Sequence, residues 1–258
     1  MTTNKLGACA VLSGVAGIFL ATAVQAQSGV FRVYAGLAPT IYRISFDNNA
    51  PYADKTAKSS YFAANLGLTW VSPRGIYVDL SGQKSLSAKH DLWDDTVSDK
   101  QKFTRDSYTL TGGYIHVLSG GVSISGFGGY THGKTTLSAP QGVFLFSKDI
   151  FESNGIFLGA GAGVPALGGQ FSGSLAIAGM KGNWKDDNVF DNDADTTIGF
   201  SLGGAYTYKI SESLGVTADL RYQQYKFDFG VAAATPTAPP YTVTEKILSG
   251  GVRLGYQF

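Results

Sequence analysis

Sulfur, charge and long apolar runs are all scarce in this 258-residue chain. The one cysteine, Cys9, excludes a disulfide framework and a cysteine-ligated metal cluster. Charged side chains make up 15% of the residues, against the usual ~25%, and 20 basic groups face 19 acidic ones. That balance excludes a nucleic-acid binder, which needs a basic face to neutralise phosphates. A mean hydropathy of +0.03 excludes both a greasy helical membrane protein and a disordered polyelectrolyte. After residue 26 no window keeps the i, i+3, i+4, i+7 apolar spacing of an amphipathic helix. Glycine, in contrast, is plentiful at 34 residues, nearly twice the usual share of ~7%, and aromatics reach 13%.

Residues 1–26 read as a signal peptide. Lys5 supplies a positive start, and Ala8 to Val24 is an apolar stretch broken by Ser, Gly and Thr. Val24-Gln25-Ala26 then sets up cleavage before Gln27. The stretch is too short and too rich in glycine for a transmembrane helix, which wants ~20 apolar residues. Leu6-Gly7-Ala8-Cys9 resembles a lipoprotein box but precedes the apolar core, so lipidation is not expected. Cleavage removes Lys5 and Cys9. It leaves 27–258 as a single cysteine-free domain of zero net charge, suited to an oxidising periplasm.

From residue 30 onward, apolar residues alternate with small or polar ones at a period of two, ten times over. In the first run Phe31, Val33, Leu37 and Ile41 share one face, and Arg32, Tyr34, Ala38, Thr40 and Tyr42 the other. The ninth sets Val216, Ala218 and Leu220 against Thr217, Asp219 and Arg221. The tenth sets Leu248, Val252, Leu254, Tyr256 and Phe258 against Ser249, Gly251, Arg253 and Gly255. Short turn-forming connections at 72–75, 118–121, 165–168 and 209–212 alternate with long polar ones at 47–58, 86–105, 138–154, 183–195 and 229–241.

This layout predicts an all-β fold: a transmembrane antiparallel up-and-down β-barrel of ten strands, with eight as the alternative count. Both termini and the tight turns then lie on the periplasmic side and the long loops are extracellular. A soluble β-sandwich shares the alternation. Three details favour the barrel: a polar face built of Gly, Ser, Thr and Tyr with few Lys or Glu, aromatics at strand ends, and a chain that ends inside a strand at Phe258.

Leu248, Gly250, Val252, Leu254, Tyr256 and Phe258, spaced by twos, resemble the terminal signature of Gram-negative bacterial outer-membrane β-barrels, small porin-like and opacity-type barrels among them. The resemblance implies a location in the cell outer membrane and an assembly signal at Tyr256 and Phe258 read by the barrel-assembly machinery. It also implies partners in outer-membrane lipid and lipopolysaccharide. Ten strands are shared with the omptin proteases and with opacity-type adhesins.

Function then has to reside in the lumen or the loops. The inward-facing charges are Arg32, Asp79, Asp219, Arg221 and Arg253, with Glu245 near the top. They form either a salt-bridge plug that stabilises the barrel or a charged constriction that selects solutes. Inward glycines either leave room for water or solute or relieve crowding. His90 and Trp93 in the second loop, and Phe144, Phe146 and Phe151 in the third, are the surface candidates. The apolar third loop is read as an extended hairpin, a constriction at the mouth or a patch for a partner. The Asp-rich stretch 186–195 lacks the ligand order of a calcium loop. Of the three histidines only His90 is in a loop, so the Asp–Asp and Asp–His pairs of an omptin-like rim protease are not assembled, and no Gly-x-Ser-x-Gly elbow is present. The expectation is a non-enzymatic, porin-like or structural barrel with a narrow, charge-plugged lumen. The alternative is a surface adhesin that binds a host ligand through its loops. No cofactor, metal or nucleic acid is expected; a small solute is the candidate lumen ligand.

Overall fold

The computed structural model describes residues 10–13, 17–20, 29–48, 55–86, 88–91, 102–138, 148–186, 191–195, 197–230 and 241–258. Ten long strands form the barrel: β1 (Val30–Asn48), β2 (Lys55–Val71), β3 (Ile76–Ser85), β4 (Lys102–Val117), β5 (Ser123–Ser138), β6 (Lys148–Ala166), β7 (Gly169–Asp186), β8 (Thr197–Lys209), β9 (Leu214–Phe229) and β10 (Tyr241–Gln257). Each pairs antiparallel with its neighbour in sequence, and β10 pairs with β1, so the ring has no open edge. Closure matters because lipid offers no partner to an unpaired backbone N–H or C=O. The ten-strand count expected from the alternation holds. Ala88–Asp91 carries on the path of β3 between β2 and β4, and Asp191–Asp193 extends the sheet beside β7. Ala10–Ser13 and Gly17–Leu20 pair as a separate two-stranded ribbon, within the stretch read from sequence as a signal peptide. Among the described residues no helix is long and apolar enough to cross a membrane.

The alternation sorts side chains cleanly. Phe31, Val33, Leu37, Ile41, Phe62, Leu66, Leu80, Leu110, Ile156, Leu158, Ile177, Leu202, Leu220, Val252 and Leu254 are exposed on the outside, while their neighbours one residue away point inward. An exposed apolar band around a whole molecule has one compatible solvent, hydrocarbon. From Phe31 to Ile41 the band runs about 33 Å along the strand, or about 25 Å along the membrane normal at a tilt of ~40°. Aromatic rings mark its edges. Phe31, Tyr114, Phe171, Tyr208, Tyr256 and Phe258 sit toward the short-turn end, and Phe62, Tyr108, Tyr130 and Phe200 toward the long-loop end. Above the band the same outward positions turn polar, with Arg43, Lys58, Lys84, Asp106, Lys134, Lys181, Lys226 and Lys246.

The short turns follow from their residues. Gly75, Gly120 and Gly121 adopt positive φ, and Ser72 Oγ accepts from the Ile76 N–H at 3.0 Å. Leu167 and Gly168, with φ of 51° and 74°, make the two-residue β6–β7 turn. The long connections are shorter than the sequence suggests. Strand β6 already starts at Lys148 and β7 runs to Asp186, so the strands rise well past the membrane band. The β1–β10 ladder is interrupted. Between the partners Thr40↔Ser249 and Leu37↔Val252, Ala38 and Pro39 face Gly250 and Gly251 without pairing. Proline has no N–H to give, and Thr40 Oγ1 instead donates to the Ala38 carbonyl at 3.2 Å.

Candidate functional site

The lumen is filled in layers, and their order along the barrel axis follows from strand register. At the short-turn end Asp79 is fully buried. Its carboxylate accepts from Thr69 Oγ1 at 2.6 Å and from the Tyr34 hydroxyl at 3.3 Å. Arg253 Nη2 lies 2.8 Å from Asp219 Oδ1, and the Arg253 guanidinium sits 5.4 Å from the centre of the Tyr34 ring. Arg32 is buried beside them, its guanidinium lying over Gly255, where any side chain would collide with it. Charges in a narrow lumen are costly unless partnered, and this layer supplies hydroxyls, carboxylates and a ring face.

Above it lies a polar cavity of about 80 Å³, lined in part by Gln83, Ser107, Asp219, Arg221, Gln223 and Arg253. That is room for several waters and little else, since each needs ~10–15 Å³ of such volume. Arg221 Nε donates to Ser201 Oγ at 3.2 Å.

The next layer closes the lumen again. Arg105 on β4 reaches four strands around the ring to Glu245 on β10, Nη1 to Oε1 at 2.5 Å, and both are buried. The same Nη1 donates to Thr135 Oγ1 at 2.6 Å, and Thr135 in turn donates to the Tyr42 hydroxyl at 3.4 Å. The Arg105 guanidinium stands 5.1 Å from the Tyr42 ring centre. An aromatic and aliphatic cap covers this strut. Phe103 packs on Tyr42 and Tyr61, each at 5.1 Å, and Phe151 packs on Trp184 at 5.6 Å and Phe227 at 5.1 Å. Ile44, Leu137, Phe229 and Val243 complete the buried cap.

Lumen glycines serve this packing. Tyr34 is the cross-strand partner of Gly67, Tyr77 of Gly113, Phe127 of Gly159, Phe157 of Gly129 and Tyr225 of Gly199. In every pair an added Cβ would fall within the facing ring. The space that glycine opens is taken by an aromatic from the next strand, not by solvent.

The residues singled out from sequence separate into distinct places. Arg32, Asp79, Asp219 and Arg253 gather at the short-turn end, while Arg221 lies higher, on the cavity wall. Phe151, expected on the surface of the third loop, is instead buried inside β6. Its own period-two alternation with outward Ile150 and Glu152 carries the strand on above the membrane. His90 lies in Ala88–Asp91, paired with Ser59 by register; Trp93, Phe144 and Phe146 lie outside the described residues. Tyr256 and Phe258 point outward. Phe258 stacks on Phe31 at 6.4 Å, and their backbones exchange hydrogen bonds of 3.0 and 3.3 Å. Sequence reasoning missed Arg105, Phe103 and Trp184, which it left in loops. The signal that finds them is inward parity: Phe103, Arg105 and Ser107 continue the lumen face of β4. Among the described residues no group of three or more His, Cys, Asp or Glu side chains is placed to hold a metal. The carboxylates of Asp191 and Asp193 both accept from Asn183 Nδ2 at 2.7 Å.

No family model and no curated protein sequence matches the chain. Solved structures do. The outer membrane protease OmpT from Escherichia coli superposes with a TM-score of 0.58 at 9% identity, covering 91% of this chain and 98% of its own. The translocator domain of the autotransporter NalP from Neisseria meningitidis gives 0.45 at 12%, covering 91% and 90%. OprG from Pseudomonas aeruginosa gives 0.39 at 15%, covering 90% and 96%. At such identity the likeness to OmpT is one of fold. With the closed ten-strand ring and its apolar band, it makes the protein a transmembrane barrel of the outer-membrane type.

Proposed function

We propose that the protein is a closed outer-membrane barrel, not a solute channel and not an enzyme, whose working surface is its long-loop end. In this reading the long loops are extracellular, both termini are periplasmic, and residues 1–26 are an export signal removed on the way. The observation that carries it is the double closure of the lumen. A hydroxyl- and arginine-bound layer around Asp79 and Asp219 lies below, and the Arg105–Glu245 strut under its aromatic cap lies above. Phe103, Phe151 and Phe227 are essentially without solvent exposure, so the cap above the small polar cavity is tightly packed. A lumen sealed by well-packed side chains supports the structural and loop-presenting readings over a porin-like one.

The test is electrical and topological. Purified full-length protein in a planar bilayer is expected to show no large, stable conductance step. A peptide tag inserted within 231–240 should be reached by antibody on intact cells. Steady open-channel currents would sink the closed-barrel reading, and a tag reached only after membrane permeabilisation would reverse the orientation.

A further inference from the structure

The outer wall carries a charge arrangement that the sheet itself disfavours. On β10, β1 and β2 the outward residues Lys246, Arg43 and Lys58 are directly opposed in register, Lys246↔Arg43 and Arg43↔Lys58. Strands lie ~4.8 Å apart, so three like charges fall within about 10 Å, and like charges directly opposite are destabilising. Asp91 stands beyond Lys58 in the same row by register, leaving an excess of positive charge. Three other outward cations near this height do have carboxylate partners: Lys134 with Glu152 at 2.7 Å, Lys226 with Asp228 at 3.7 Å and Lys185 with Asp191 at 3.5 Å. Among the described side chains no carboxylate lies within ion-pair distance of Lys246 or Arg43.

What flanks the row names its partner. On the loop side the next outward positions are hydroxyls: Thr244, Ser45 and Thr56. Ser45 Oγ accepts from Arg43 Nε at 3.3 Å and lies 3.1 Å from Thr56 Oγ1. On the membrane side the row meets an apolar groove of about 360 Å³ walled by Ile41, Phe62, Leu220 and Leu248. Gly250 and Pro39, at the interrupted ladder, line it as well. It lies inside the lipid-facing band, so hydrocarbon is what adjoins it. Cations and hydroxyls above an apolar groove, at the upper rim of the band, complement a molecule that is anionic at its head and acylated below.

We propose that this wall of β9, β10, β1 and β2 is a binding site for lipopolysaccharide. A lipid A phosphate lies on Lys246, Arg43 and Lys58 and is hydrogen-bonded by the Ser45 and Thr56 hydroxyls. One acyl chain occupies the Leu220–Gly250–Pro39 groove. The choice of lipopolysaccharide over a glycerophospholipid rests on the orientation proposed above, which puts this rim in the outer leaflet.

The experiment uses the full chain in maltoside micelles, with binding read by native mass spectrometry against bisphosphorylated hexa-acyl lipid A. Dephosphorylated lipid A, the deacylated bisphosphorylated disaccharide and phosphatidylglycerol are the comparison probes. Wild type is expected to prefer bisphosphorylated lipid A over its dephosphorylated form and over phosphatidylglycerol by at least tenfold. The variant Arg43→Gln/Lys58→Gln/Lys246→Gln should lose that preference, whereas Lys226→Gln, whose partner is Asp228, should keep it. Gly250→Val fills the groove, with only ordinary contacts to Leu220. It should weaken lipid A severalfold and leave the deacylated disaccharide unchanged. Heat-modifiable gel mobility verifies that each variant is folded. Equal binding of phosphorylated and dephosphorylated lipid A, or unchanged binding by the folded triple variant, overturns the site. A preference for phosphatidylglycerol overturns the choice of lipid. Because micelle binding is blind to orientation, the tag experiment fails or succeeds separately.

Discussion

Arg105 and Glu245 meet across the lumen at 2.5 Å, joining β4 to β10 through a contact between residues 140 apart in sequence. Both are buried, so each depends on the other. Glu245→Gln leaves the guanidinium without its counter-charge and should destabilise the barrel by about 3–5 kcal/mol, as should Arg105→Met. The double variant should recover much of the loss, because two apolar or neutral groups of similar volume replace a buried pair at small cost. Urea titration in micelles, read as a double-mutant cycle, measures the coupling. Additive losses would show that the pair does not act as a unit.

The aromatic–glycine pairs predict a sharp positional dependence. Gly67→Val would drive a methyl-bearing Cβ into the Tyr34 ring, and Gly199→Val into Tyr225. Each should cost about 1–3 kcal/mol. Outward Gly173 meets only a distant carbonyl at that position, so Gly173→Ala should stay within about 0.5 kcal/mol of wild type. Folding midpoints of the three variants are the check.

Leu167 holds φ of 51° at an exposed turn, a conformation that costs an L-residue with a bulky side chain about 1–2 kcal/mol. Asparagine tolerates it, and Asn-Gly suits a two-residue hairpin turn. Leu167→Asn should therefore raise stability by about 1 kcal/mol, visible as a higher urea midpoint.

The Lys134 ammonium, hydrogen-bonded to Glu152 above the membrane band, holds that carboxyl below the usual range. A group depressed in the folded state adds stability above its unfolded pKa, and the gain disappears as pH falls through the lower folded value. The pair is partly exposed, so the effect is at most about 1 kcal/mol. The difference between wild type and Glu152→Gln should be constant from neutral pH down to about 5. It should begin to shrink once the pH drops under the ordinary ~4.3 and vanish below the depressed folded value. A difference that persists there would exclude this ion pair as its source.

Much of the architecture was readable because lipid and lumen impose opposite demands on adjacent residues. The faces carrying Phe31, Leu37 and Ile41 against Arg32, Tyr34 and Tyr42 are separated by parity alone, and the turn at Leu118–Gly121 shows in its glycines. The upper barrel was not readable in the same way. There the outward residues, Thr104, Asp106, Glu152 and Lys185 among them, face water and have the composition of a loop. Only half the positions, Phe103, Arg105, Phe151 and Trp184, still report a wall, and half an alternation is easily read as a loop. The partner of each lumen glycine was hidden for another reason: it sits on the next strand, and one chain without its register cannot say which ring faces which gap.

The interrupted ladder at Pro39 has a consequence in time as well as in space. Every other ladder of the ring joins strands adjacent in sequence, whose hairpins can form locally and fast. The β1–β10 seam must bring Arg32 to Gln257, the longest closure in the molecule and the slowest by loop entropy. The missing pairs lie in that same seam, beside Gly250 and Gly251. The last ladder to zip is therefore also one with a break in its pairing, and a barrel of this design should begin to open there first.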